Sequence, residues 1–135
     1  MNTTIFNDII ELLPPIERED QRLDEEHGIN KELGLNVFDP NVIKRFFDEN
    51  ERESELEKRL MTYDYETLLK AEALLYYGRD HESTKYADKL AYFRGLEDSK
   101  EEIVRTIMEK LASFHNYITY ALRKLQREGL TMENI

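Results

Sequence analysis

The sequence predicts an all-α fold: a single compact domain of five or six helices, closing with a long C-terminal helix. Three observations carry this. The 135 residues include only five glycines and three prolines, too few turn-formers for a many-stranded β fold. Hydrophobic residues make up 40% and charged residues 36%, enough apolar side chains for one core and too many for a disordered chain. Apolar residues then recur every three or four positions along several segments, the spacing of one helix face.

The elements follow in order. Thr4 is a candidate cap for a first helix bearing Ile5, Phe6, Ile9, Ile10, Leu12 and Leu13. Pro14-Pro15 is expected to end it, because proline lacks the amide hydrogen and crowds the preceding turn. Pro15 suits the first position of a second, polar helix anchored by Ile16 and Leu23 and stopped at Gly28. The stretch GINKELGLNVF reads as irregular, with Ile29, Leu33, Leu35, Val37 and Phe38 available to pack across the core. Asp39-Pro40 then starts a helix whose Val42, Ile43, Phe46 and Phe47 form one apolar stripe. The polar run DENERESELEKRL continues as the same helix or as a second one joined near Asn50.

Asp64 caps a helix over Tyr65–Tyr77 that is apolar on most of its circumference, the mark of a buried central helix. Gly78 is expected as its left-handed C-cap. Ser83 or Thr84 restarts a helix through Phe93, and Ser99-Lys100-Glu101-Glu102 has the form of a capping box. The box opens the longest helix, residues 100–128, stopped by Gly129. Its stripe of Ile103, Ile107, Leu111, Phe114, Ile118, Leu122 and Leu125 repeats every 11 residues, which suits packing along a nearly straight helix. Unbroken, it would reach roughly 43 Å at about 1.5 Å per residue. That length leaves three outcomes: the helix crosses the whole domain, breaks near Ser113–Asn116, or projects into a partner, which keeps a homodimer open.

The chain divides into acidic N-terminal helices, residues 1–61, and a segment 62–130 holding the central helix, a Gly-Arg-Asp turn and the long helix. Net charge is −10, and it is unevenly placed: residues 1–66 carry 18 acidic and 8 basic side chains, residues 67–135 carry 11 of each. An acidic surface repels phosphate backbones and argues against direct nucleic-acid binding. The plainer reading of the excess is a surface that keeps the protein in solution; the sharper one is a surface that docks a basic protein partner, one form of which imitates nucleic acid. With no cysteine, disulfides, thiolate metal sites and cysteine nucleophiles are excluded, and a cytoplasmic setting is expected. No signal peptide and no membrane span are expected, since the apolar runs are too short.

The run LLYYGRDHE, residues 74–82, concentrates the candidate site residues. Arg79, Asp80 and His81 supply an anion anchor, an acid and a base for a catalytic reading. Tyr76, Tyr77, Arg79 and Asp80 supply a binding reading. The simpler reading is a helix ending, where Arg79 or His81 satisfies the last carbonyls and the negative dipole end. Asp24-x-x-His27 places two metal-ligand types on one helix face, but nothing supplies a second such pair, and neither a metal nor a cofactor is implied. Glu72 falls among apolar neighbours on the central helix, where a buried carboxylate must be paired or protonated, and Arg79 and Arg94 are its candidate partners. Six tyrosines, Tyr63, Tyr65, Tyr76, Tyr77, Tyr86 and Tyr92, edge this region and suit either an interface or a core rim. No glycine-rich phosphate loop and no nucleophile elbow is present.

The segment from YDYETLLKAEALLYYGRD to YITYALRKLQREGL, roughly residues 62–130, resembles an uncharacterised bacterial family, domain of unknown function 3775. The resemblance rests on Gly78-Arg79-Asp80 after an apolar helix, then Tyr117 or Tyr120, then Gly129-Leu130. It departs from the family pattern where Arg79 runs directly into Asp80 without a second glycine, and in the absence of tryptophan. It implies a small helical domain, draws attention to Arg79 and Asp80, and brings no activity. The functional expectation is therefore a small acidic bacterial or phage protein acting as a protein–protein interaction or regulatory module. The alternatives are a phage-type inhibitor with a nucleic-acid-mimicking acidic face, and an enzyme using Arg79-Asp80-His81.

Overall fold

The computed structural model describes residues 1–30, 32, 34, 36 and 38–135. The order is α1 (Thr4–Glu26), α2 (Pro40–Phe47), α3 (Glu51–Leu60), α4 (Tyr65–Arg79), α5 (Tyr86–Gly95), α6 (Lys100–Glu109) and α7 (Phe114–Arg127). Counting α6 and α7 as one interrupted helix gives six, in a compact all-α domain without strands among the described residues. None of the described helices is long and apolar enough to cross a membrane.

The hub is α4. It packs on α5, α6 and α7, while α1 lies on α3 and α3 on α6. Leu68, Leu69, Ala71, Ala73, Leu74, Leu75 and Tyr77 on α4 are all buried, as the apolar circumference of this helix predicted. The core closes over it with Ile5, Phe6 and Ile9 from α1, Leu56 and Leu60 from α3, and Ile103, Ile107, Phe114 and Leu125 from α6 and α7. Asp39, Asn50, Asp64 and Ser99 cap α2, α3, α4 and α6 with side-chain oxygens that accept backbone N–H groups. At Ser99 the expected box is half made: the hydroxyl accepts the Glu102 amide at 3.2 Å, and the Glu102 carboxylate meets that same hydroxyl.

Five sequence expectations are corrected. First, α1 runs through Pro14-Pro15 without ending. The amides that proline lacks would bond the carbonyls of Ile10 and Glu11, which lie on the exposed side, where water can replace them. The opposite face buries Ile9, Leu12, Leu13 and Ile16, and that burial outweighs the lost bonds. Its N-cap is Thr3 without a side-chain bond, rather than Thr4; the Thr4 amide donates to Asn2 Oδ1 instead.

Second, Gly78 is not a left-handed cap but a helical residue inside α4. A Cβ built there would lie 1.8 Å from the Tyr117 carbonyl oxygen and 3.0 Å from the Ala121 amide nitrogen, so glycine is what lets α4 and α7 meet backbone to backbone. Third, α5 starts at Tyr86 and uses neither Ser83 nor Thr84 as its cap. Its first amide, Tyr86 N, is taken by Glu128 Oε2 at 3.0 Å, a carboxylate from the far end of α7.

Fourth, the long C-terminal helix breaks at Lys110 and a short 3-10 segment, Leu111–Ser113, before α7 begins. The break resets the helical phase, so Ala121 is buried against α4 and Leu122 is exposed. Of the three outcomes left open, the helix breaks, and the length argument for projection into a second copy goes with it. Fifth, Glu72 has neither candidate arginine: Arg79 is on Asp80 and Arg94 is on Glu66.

Of the two alternatives for residues 40–61, the chain takes two helices joined at Asn50. The glycine stops of the first and last helices hold. Gly28 and Gly129 sit at φ +67° and +75° just past α1 and α7. There the amides of Ile29 and Leu130 reach back to the carbonyls of Asp24 and Leu125, the bond of a glycine-closed helix end. Of the residues expected to pack across the core, Leu33, Leu35 and Val37 lie outside the described residues, Ile29 is half-buried, and Phe38 is exposed instead.

Candidate functional site

The Gly-Arg-Asp run is the end of α4, and its polar atoms are tied to three elements. Asp80 Oδ2 accepts Lys89 Nζ of α5 at 2.7 Å, and Asp80 Oδ1 accepts Arg79 Nε at 2.9 Å. Burial works to raise the Asp80 carboxyl, but these two cations outweigh it and hold it below the ordinary carboxylate value. Lys89 Nζ also reaches Glu82 Oε1 at 2.9 Å. Lys124 of α7 donates to the carbonyls of Tyr77 and Asp80 at 2.8 and 3.0 Å, filling the acceptor positions that a helix end leaves open. Burial lowers the Lys124 ammonium, and Lys89 adds to this.

The tyrosines divide. Tyr77 is buried, its hydroxyl 2.5 Å from Glu128 Oε2, the same oxygen that caps α5. Tyr76 is half-buried under Arg79, whose guanidinium carbon stands 4.3 Å from the ring centre. A shallow depression of about 540 Å³ beside α5 is bordered by Tyr76, Arg79, Asp80, Lys89 and Tyr92. His81 does not border it: the imidazole is exposed, edge-on to Tyr120 at 5.7 Å between ring centres. The structure thus brings Arg79 and Asp80 together in structural bonds and turns His81 away from them. Asp24 and His27 also fail to converge, since Asp24 accepts Arg45 Nε at 2.9 Å and His27 Nε2 lies 2.5 Å from Asp48 Oδ2. Among the described residues no cluster of three metal-ligand side chains forms.

A second concavity lies at the other end of the domain, where α1, α2 and α3 converge. This cleft has a volume of about 540 Å³. Asp20, Asp24, Asp48, Glu49, Glu53 and Glu57 line it, against the single guanidinium of Arg45 among the described lining residues, and Ile29, Val42 and Phe46 supply apolar wall. Arg45 spans the α1 side, with Nε on Asp24 and Nη2 on Asp20, each at 2.9 Å. Asn50 holds α3 against that wall: its Nδ2 donates to the Ile16 carbonyl and to Asp20 Oδ1, while its Oδ1 caps α3. On the α3 side, Glu49, Glu53 and Glu57 make no ion pair among the described residues. Burial pushes the Glu53 carboxyl above its ordinary value, and the neighbouring charges of Asp20 and Glu57 push the same way, with Arg45 opposing.

The orientation of α2 is unusual for an amphipathic helix. At about 100° per residue, Val42, Phe46, Ile43 and Phe47 cover a stripe of about 140°. Only Val42, at one edge, is buried. Phe46 is 69% exposed, Phe47 82% and Ile43 43%, and Phe38 just before the helix is 85% exposed. The helix is anchored by Arg45 on its polar side and presents its apolar stripe outward. The stripe itself is legible in the sequence. Its direction is not, because the ion pairs that turn it depend on residues more than twenty positions away.

No protein-family model, curated protein or solved structure matches the chain. The resemblance of residues 62–130 therefore stands on the residues quoted for it.

Proposed function

We propose that the protein is a binding module that contacts another protein through the α2 end of its acidic half, in a cytoplasmic setting that suits a chain without cysteine. The observation that carries this reading is the reversed α2. A helix normally turns its apolar stripe to the core, and three bulky side chains held in water mark a surface meant for a partner. The Gly-Arg-Asp turn is the weaker candidate, since the bonds of Arg79, Asp80, Lys89 and Lys124 close the end of α4 and leave no free acid–base pair. The carboxylates that face α2 line a cleft beside a phenylalanine, an arrangement better suited to reading a cationic side chain than to imitating a phosphate backbone.

The test is affinity capture from a bacterial lysate with wild type, Phe46→Ser/Phe47→Ser and Arg79→Ala, followed by titration calorimetry with the purified captured protein. The reading expects a partner that wild type and Arg79→Ala retain and the α2 variant loses. A partner lost on Arg79→Ala and kept by the α2 variant would move the contact surface to the α4 end and defeat it.

A further inference from the structure

We propose that the cleft between α1, α2 and α3 receives an arginine side chain from a partner protein, whose neighbouring apolar residues cover the outward phenylalanines of α2. This rests on the reading of α2 as the contact surface and specifies what that surface recognises.

The apolar face of α2 alone would accept many partners. The charges beside it narrow the choice. Among the described lining residues Asp20 and Asp24 are held by Arg45 and Asp48 by His27, while Glu49, Glu53 and Glu57 have no ion pair, so an acidic segment would be repelled there and a neutral one would leave these three charges unpaired. On the α3 wall Glu53 and Glu57 are one helical turn apart, Glu49 stands just before the helix cap, and all three lack a cation among the described residues. Glu53 is half-buried among like charges, so a cation placed there relieves repulsion as well as gaining attraction.

Arginine fits better than lysine for two reasons visible in the cleft. Arg45 already shows the geometry on the opposite wall, one guanidinium bridging two carboxylates through different nitrogens. Phe46 offers a ring beside the acids, and a planar guanidinium can lie on an aromatic face while its edge donates to carboxylates, which a lysine ammonium cannot do. Ile43 and Phe47 continue the apolar stripe away from the cleft, so the segment needs apolar residues next to its arginine. A second copy of the chain is a poor occupant, because two chains of net charge −10 would have to meet at one of their most acidic regions.

The experiment uses the full chain and a fluorescein-labelled helical peptide carrying arginines beside leucines. Its controls replace every arginine by lysine, or every leucine by serine. Fluorescence anisotropy should show saturable binding that weakens several-fold with the lysine peptide and about tenfold with the serine peptide. Phe46→Ser and the pair Glu53→Gln/Glu57→Gln should each weaken it about tenfold, the latter with a shallower salt dependence. Melting curves establish that both variants are folded.

No binding, binding indifferent to Glu53→Gln/Glu57→Gln, or equal binding of the leucine and serine peptides would overturn the proposal. So would a wild-type dimer in sedimentation that Phe46→Ser dissolves, because the occupant would then be a second copy. A captured partner lost on Phe46→Ser/Phe47→Ser yet indifferent to Glu53→Gln/Glu57→Gln would keep the contact surface and defeat only the arginine.

Discussion

Glu72 should make the protein lose stability as the pH rises toward neutrality, the reverse of the usual carboxylate. Its side chain is 1% exposed in the middle of α4, and Oε1 has no hydrogen-bond partner. Burial pushes its carboxyl up to about 7 from an ordinary 4.5, and the charge of Asp98 pushes the same way, with the Thr106 hydroxyl opposing. A folded-state value above the unfolded one means that the native protein holds a proton the unfolded chain has released. Glu72's contribution is therefore most favourable below about pH 4.5 and is lost as the pH passes through about 7. A gap of about 2.5 units at about 1.4 kcal/mol each amounts to about 3 kcal/mol. The variant Glu72→Met removes the charge and roughly keeps the volume. Urea denaturation followed by circular dichroism, at intervals from pH 5 to about pH 8, measures the difference between the two proteins. Taking the difference cancels groups that titrate in both without coupling to Glu72, Glu53 among them. The gap should widen in favour of Glu72→Met as pH rises and level off above about pH 7, approaching about 3 kcal/mol. A difference that stays flat across this range, or one that favours wild type at high pH, would show that the carboxylate is solvated or paired and would refute the reasoning.

Two further substitutions test the joints of the second half. Gly78→Ala gains about 1 kcal/mol of helix propensity, but its methyl collides with the Tyr117 backbone, which cannot step aside as a side chain could. Net destabilisation of at least about 2 kcal/mol is expected in urea denaturation, and a neutral or stabilised variant would mean that α4 and α7 do not meet this closely. Glu128→Ala removes the acceptor shared by the buried Tyr77 hydroxyl and the first amide of α5, at an expected cost of about 2–3 kcal/mol, and hydrogen exchange at Tyr86 should quicken.

Much of this architecture could be read from the residues in order, and the failures share one cause. Helix starts at Asp39, Asp64 and Ser99 were legible because the cap and its amide lie within three residues of each other. The circumference of α4 predicted its burial because surrounding a helix with apolar residues leaves no wet face. What could not be read is whatever distant partners decide. Gly78 looks like a terminator until Tyr117 is placed against it. Ser83 and Thr84 look like caps until Glu128 arrives to do the same task. Pro14-Pro15 looks like a stop, because the sequence does not tell which side of the helix faces water. Glu72 had plausible cations on both sides, but Asp80 and Glu66 claim them. At the candidate site, the acidic excess of the first half and the α2 stripe were both visible. The cleft that joins them needed Arg45 to reach Asp20 and Asp24 on α1, and Asn50 to reach Ile16 and Asp20.

The two halves of the charge distribution correspond to two physical tasks. In residues 67–135 acids and bases balance, and many of them work at helix ends: Lys124 and Lys89 on α4, Glu128 on α5. In the first half the bases are too few for the acids, and the shortfall gathers where α3 faces α2. α2 itself is absent from the well-packed helix pairs; among the described residues Arg45, the contact of His27 with Asp48 and one buried valine tie it to the rest of the domain. A segment held this way can shift or repack against a partner without disturbing the core, whose packing centres on α4. Changes at Phe46 or Phe47 should accordingly leave stability within about 0.5 kcal/mol while altering binding, and changes at Gly78 or Glu128 should do the reverse. That separation is a physical argument for placing recognition on α2: the surface able to adapt to a partner is the one that contributes least to holding the fold.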